Sequence, residues 1–171
     1  GSGDFTLEFW LWAASNIGGE LYVWGKNSNP GDYFGYESSF YIEDVFGTKR
    51  ISFYAGEPAN SRVLTTDAIA LSTWLHVALV RNGNTISIYV DGFVADTYTD
   101  ANATLIDLAH PFGAVVGENF WIDELRFTVG VARYTGTSYT VPTEPFTDPA
   151  PLVPGQVSAW APDTRFGTPL A

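Results

Sequence analysis

Residues 74–98 carry a pattern that antiparallel β-structure satisfies and helix does not. Trp74-Leu75-His76-Val77-Ala78-Leu79-Val80 is a continuous apolar run, and Thr85 to Val90 alternates with Ile86, Ile88 and Val90 on one face. Asn82-Gly83-Asn84 and Asp91-Gly92 stand at the ends of these runs. Asn, Asp and Gly tolerate the positive φ that tight hairpin turns require. The segment therefore reads as a meander of strands at 74–81, 85–90 and 93–98, with 74–80 a buried central strand.

The rest of the chain agrees. In residues 5–12, Phe5, Leu7, Phe9 and Leu11 share one face against Thr6, Glu8, Trp10 and Trp12. Leu21-Tyr22-Val23-Trp24 is a short aromatic strand, and 33–42, 50–55 and 120–127 read as further strands. Residues 64–71 are ambiguous, and no stretch keeps helical periodicity beyond about two turns. Many short strands predict an all-β, two-sheet antiparallel sandwich or a barrel. The chain, 171 residues long, suffices for one domain with a sizeable core. Residues 147–171 hold five of the ten prolines and are predicted to be an extended tail leaving a domain at 1–146. In that tail Val157-Ser158-Ala159-Trp160 is strand-like. Val157 and Trp160 are expected to pack on a sheet edge or face, of this chain or of a neighbouring subunit.

The net charge of −11 argues against nucleic acid as a partner, because phosphate contacts need clustered Lys and Arg. No apolar run approaches the roughly 18 residues of a membrane span, so no membrane partner is expected. Cysteine is absent, which removes disulfides and thiolate zinc sites. Methionine is absent too, so Gly1 is expected to be a processed or internal start. Of the two histidines, His76 lies in the buried strand and reads as structural, while His110, before Pro111, reads as a turn residue.

Gly117-Glu118-Asn119-Phe120-Trp121-Ile122-Asp123-Glu124 sets carboxylates among aromatics, the surroundings glycan-cleaving enzymes use. Strand alternation sends Asp123 and Glu124 to opposite faces, and Glu118 and Asp123 likewise unless a bulge intervenes. Glu118 and Glu124 share a face but would stand roughly 20 Å apart. Glycoside hydrolysis needs its two carboxyls about 5–9.5 Å apart. No catalytic residue is assigned.

Three segments together resemble the laminin-G-like, concanavalin A-like jelly-roll superfamily. They are Asp4-Phe5-Thr6-Leu7-Glu8-Phe9-Trp10; Trp74 to Arg81 continuing to Tyr89-Val90-Asp91-Gly92; and Ile122-Asp123-Glu124-Leu125-Arg126-Phe127 with Gly130-Val131-Ala132-Arg133-Tyr134-Thr135. Order and spacing agree over 4–146. The resemblance implies a two-sheet antiparallel jelly-roll sandwich. It implies that the 122–127 strand is a core strand whose acid organises loops or bonds to backbone. It also implies a strand ahead of Asp4 that this sequence does not contain, and so an unpaired sheet edge unless something covers it. The ending that runs through Tyr139-Thr140-Val141-Pro142-Thr143-Glu144-Pro145-Phe146 is similar to tailed-bacteriophage structural proteins and bacterial surface proteins.

Candidate ligand-binding residues are Trp24, Asn27, Asn29, Asp32, Tyr33 and Tyr36, amides and aromatics suited to sugar hydroxyls and faces. Asp32, Glu118, Asn119 and Asp123 are candidate oxygen ligands for calcium, which members of the superfamily often hold at the sandwich rim. Asp91 is explained by its turn, and Asp123 also by pairing with Arg81, Arg126 or a backbone donor. Trp10, Trp74 and Trp121 read as core; Trp12 and Trp24, near strand ends, suit either core or a sugar-stacking surface. The expected function is a non-enzymatic structural or adhesion module of a phage particle, in the tail or as capsid-surface decoration. Its expected partners are other virion subunits, within an oligomeric assembly, and a host-surface glycan. The alternatives are a polysaccharide-active glycosidase of this fold or a free-standing extracellular bacterial lectin.

Overall fold

The computed structural model describes residues 3–15, 21–25, 39–54, 62–99 and 119–146. The chain separates into two units, residues 1–141 and 142–171. The first carries all the strands described here. They are β1 (Phe5–Ala13), β2 (Leu21–Gly25), β3 (Ser39–Val45), β4 (Thr48–Tyr54), β5 (Arg62–Thr65), β6 (Trp74–Asn82), β7 (Thr85–Val90), β8 (Phe93–Thr99) and β9 (Phe120–Val129). One sheet runs β8-β7-β6-β1-β9 and the other β2-β3-β4-β5. All the pairings are antiparallel, and the described residues contain no helix. This is the sandwich that the alternation predicts.

The chain changes sheet after β1 and again before β6, so the two sheets must close on one core. Phe5, Leu7, Phe9 and Leu11 of β1 meet Val77 and Leu79 of β6 and Ile86 and Ile88 of β7. Ile42, Ile51, Phe53 and Leu64 of the four-stranded sheet complete the cluster. Burying each such side chain contributes about 1.5–3 kcal/mol. Val90, predicted to be buried with Ile86 and Ile88, is only partly so, since it ends its strand at the turn.

The meander lies where the turn chemistry puts it. Val90 pairs with Phe93 around Asp91 (φ 47°) and Gly92 (φ 81°), and Asn82 pairs with Thr85 around Gly83 (φ 59°). A further hairpin, β3–β4, turns on Phe46 (φ 52°) and Gly47 (φ 82°). Phenylalanine is not a residue that signals such a turn, and this one is fully solvent-exposed.

β6 is the middle strand of its sheet and is buried on both faces from Leu75 to Arg81. Its inner face packs in the sandwich. Its outer face is covered by the segment that follows β9, where Ala132, Tyr134 and Tyr139 pack on Ala78, Val80 and Tyr89. β1 has partners on both sides, β6 and β9. β9, expected to be a core strand, is the edge of its sheet among the described residues.

β9 also departs from simple alternation. Its register with β1 slips between Glu8 and Trp10: Glu8 faces Arg126, yet Trp10 faces Asp123. One extra residue is therefore accommodated, and Glu124 takes φ 50° there. The bulge puts Trp121, Asp123, Arg126 and Thr128 on the outer face despite their mixed parity.

Candidate functional site

The outer face of the five-stranded sheet is the chemically richest surface described. Its covering segment is tied down along its length. Thr6 Oγ1 donates to Val131 O at 2.9 Å and accepts from Arg133 N at 3.0 Å. Tyr89 Oη donates to Gly136 O at 2.7 Å, Val94 N to Thr137 O at 2.9 Å, and Tyr139 N to Gly92 O at 2.8 Å. Residues 130–139, which begin with the motif Gly130-Val131-Ala132-Arg133-Tyr134-Thr135, thus form a strap across β1, β6 and β7.

Under the strap sits Glu8, with its side chain 0% exposed. Arg126 Nε donates to Glu8 Oε1 at 2.8 Å, and its terminal nitrogen approaches the same oxygen at 2.8 Å. Tyr134 Oη donates to Oε2 at 2.6 Å, while Arg133 Nε lies 3.6 Å from Oε1. A buried carboxylate needs such partners, since its desolvation would otherwise be prohibitive. His76 Nε2 stands 3.7 Å from Oε2, and His76 Nδ1 lies 2.7 Å from Tyr139 Oη. The tautomer with its proton on Nε2 suits both neighbours, turning a positive edge to Glu8 and a lone pair to the tyrosine. Tyr134 and Tyr139 stack at 3.5 Å.

Glutamate, histidine and tyrosine together resemble an acid–base set, but Glu8 and His76 are fully buried. Burial, ahead of the opposing pull of Glu8 and Asp91, pushes the His76 pKa below its ordinary 6.5. Burial likewise raises the Tyr134 and Tyr139 hydroxyls above 10, helped by Glu8 beside Tyr134 and by Tyr134 beside Tyr139. The expected pH dependence follows by linkage. Below pH 6.5 an unfolded histidine takes up a proton that folded His76 resists, so stability is lost as pH falls through that range. Above pH 10 unfolded tyrosines ionise while Tyr134 and Tyr139 stay neutral, so stability is lost as pH rises. Urea midpoints measured from about pH 5 to about pH 11 should fall at both ends. His76→Gln should flatten the acid limb, and an unchanged acid limb would contradict the assignment.

Beyond Trp10 and His76 the same face carries three tryptophans in a row. Trp12 pairs in register with Trp74 on β6 and with Trp121 on β9. Trp12 and Trp121 meet edge to face, with centroids 4.5 Å apart at 74°. Trp74 is 41% exposed and Trp121 44% exposed. Both were expected in the core. They are not there because their positions align with Glu8 and His76, on the outer face, past the residues the strap contacts. Trp10 is half-buried, edge to face with His76 at 5.2 Å.

Of the predicted metal ligands, Asn119 immediately precedes β9, with φ 74°, and Asp123 lies within it. Asp123 Oδ1 accepts Glu124 N–H at 2.9 Å, the backbone role the resemblance implies. Asp32 and Glu118 lie outside the described residues, as do Asn27, Asn29, Tyr33, Tyr36, His110, Val157 and Trp160. Trp24 is placed on β2, but its side chain is outside what is described. Among the described residues no group of three or more His, Asp or Glu is placed to hold a metal ion. Asp91, by contrast, serves its turn as expected, its Oδ1 accepting His76 N–H at 2.9 Å.

The concanavalin A-like lectin/glucanases superfamily matches residues 1–146. The chain belongs to that superfamily. Among solved structures it is similar to a native heptameric SAP-like pentraxin from Limulus polyphemus, at 15% identity and TM-score 0.45, over 72% of this chain and 63% of that one. It is also similar to the marine PL7 alginate lyase AlyA1 from Zobellia galactanivorans, at 14% identity and TM-score 0.41, over 74% and 62%. The chain thus spans less than two thirds of either protein. No curated protein matches the sequence.

Proposed function

We propose that this domain is a non-enzymatic adhesion module on the outside of a phage particle, as a tail or capsid-decoration domain. It would sit against other virion subunits and engage glycan on the host surface. The observation that carries the non-enzymatic reading is the state of Glu8. The carboxylate gathered with His76, Tyr134 and Arg126 is fully buried and is held by hydrogen bonds from Arg126 and Tyr134. A group sealed in this way cannot reach a substrate. The virion setting rests on the sequence of the strap and its continuation to Phe146, which resembles phage structural proteins.

The test has two arms. The protein is incubated with neutral and uronate polysaccharides while new reducing ends and unsaturated products are measured. The expected result is no product. Product formation by wild type that Glu124→Gln or Asp123→Asn abolishes would overturn the non-enzyme reading. In the second arm, antibody to the domain is applied to purified particles from the producing culture. Labelling of particles is expected, whereas antigen found only as free protein would favour a secreted bacterial lectin.

A further inference from the structure

We propose that the row Trp74–Trp12–Trp121 is a glycan-binding site for an uncharged pyranose ring, with Asp123 as the acceptor for its hydroxyls. This rests on the adhesion reading and gives it a place on the molecule.

The row crosses three adjacent strands, so Trp74 and Trp121 stand about 10 Å apart at the backbone. That is room for a short saccharide lying across the strands. Each outer ring is two-fifths or more exposed. Exposed contiguous apolar surface of this kind marks an interaction site. A pyranose has an apolar C–H face and a polar rim, and indole offers a matching flat face with one N–H donor. The 74° angle between Trp12 and Trp121 makes a corner, in which one ring can stack and the other present its edge.

The border of the row supplies the polar partner. Asp123 follows Trp121 by two positions on the same face and is exposed. Its Oδ1 is tethered to Glu124 N–H at 2.9 Å, so the carboxylate is held in place beside the rings. The bulge at Glu124 sets that orientation; bulges commonly re-aim a side chain at a site. A carboxylate at the border, on a protein of net charge −11, disfavours sulfated, sialylated or uronate glycans. It also disfavours a protein interface, whose core is depleted of charge.

Calorimetric titration with maltohexaose, cellohexaose and mannan and galactan oligosaccharides, against dextran sulfate, tests this. The variants are Trp74→Ala, Trp121→Ala, Trp121→Phe and Asp123→Asn, each checked for an unchanged unfolding midpoint. At least one neutral saccharide should bind. Trp74→Ala and Trp121→Ala should weaken it by about tenfold or more, the factor 1.4 kcal/mol represents, and Trp121→Phe by less. Saccharide binding that both alanine variants retain in full would overturn this site while leaving the adhesion reading standing. Tighter binding of dextran sulfate would overturn the ligand class. No saccharide binding, with the alanine variants changing the sedimentation of the protein, would make the row a protein contact. No saccharide binding and unchanged sedimentation would overturn both the site and the glycan part of the adhesion reading.

Discussion

Replacing Glu8 with alanine should lower the unfolding free energy by about 3–5 kcal/mol, the cost of breaking a buried ion pair from one side. The change should appear as a fall in urea midpoint with little change in slope. Removing the carboxylate takes from the Arg126 guanidinium, its side chain only 28% exposed, the ion pair and hydrogen bond it makes with Glu8. It also leaves the Tyr134 hydroxyl without the acceptor it holds at 2.6 Å. Glu8→Gln keeps the volume and an acceptor oxygen, so it should cost less than alanine but remain destabilising. Tyr134→Phe removes one of these bonds alone and should cost about 1.5–3 kcal/mol, as for other hydrogen bonds to charged groups. Because the two residues touch, the double variant should be less destabilised than the sum of the singles. A Glu8→Ala midpoint within experimental error of wild type would show that the cluster does not hold the strap.

How far this arrangement was legible depended on how local its causes are. The meander was readable because turn and strand signals lie within a few residues of each other, and the fold followed from three motifs in order. Glu8 was placed correctly on the face opposite Phe5, Leu7 and Phe9. Its burial could not be read, because what buries it lies far along the chain, at Tyr134 in the strap. The same blindness sent Trp74 and Trp121 to the core. An apolar strand covered on both faces gives no sign of where its cover stops, and it stops short of these residues. A bulge defeats parity counting altogether: nothing in Asp123-Glu124-Leu125-Arg126 announces that Asp123 and Arg126 share a face. The β3–β4 turn carries no sequence signal, because Phe46 occupies a position where Asn or Gly is usual. The signal that could have found the tryptophan row was register. Aligning the β1 motif antiparallel to the β6 motif with Phe5 opposite Arg81 sets Trp12 opposite Trp74.

Gly92→Ala should be among the most damaging small substitutions in the described residues, although it adds only one methyl group, because Gly92 is buried within its turn. Gly92 has φ +81°, which an alanine adopts only with strain; such strain costs about 1–3 kcal/mol. More decisive is what the methyl group meets. A Cβ there would lie 2.4 Å from the Tyr139 carbonyl oxygen and 3.1 Å from Val141 Cγ2. The oxygen is backbone and cannot rotate aside. It is held by the Tyr139 N–H bond to Gly92 O at 2.8 Å and by the Phe93–Ser138 bridge. Either turn or strap must move, and overpacking of this kind costs about a further 1–3 kcal/mol. Gly83→Ala separates the two contributions. Gly83 also has positive φ, +59°, but nothing lies within 4 Å of its would-be Cβ. That variant should show backbone strain alone, about 1–2 kcal/mol. Gly92→Ala should therefore unfold at clearly lower urea, and its near-ultraviolet dichroism should lose tyrosine signal as Tyr139 leaves Tyr134 and His76. If the two variants unfold at the same midpoint with unchanged tyrosine signal, the strap does not press on the Asp91-Gly92 turn as described.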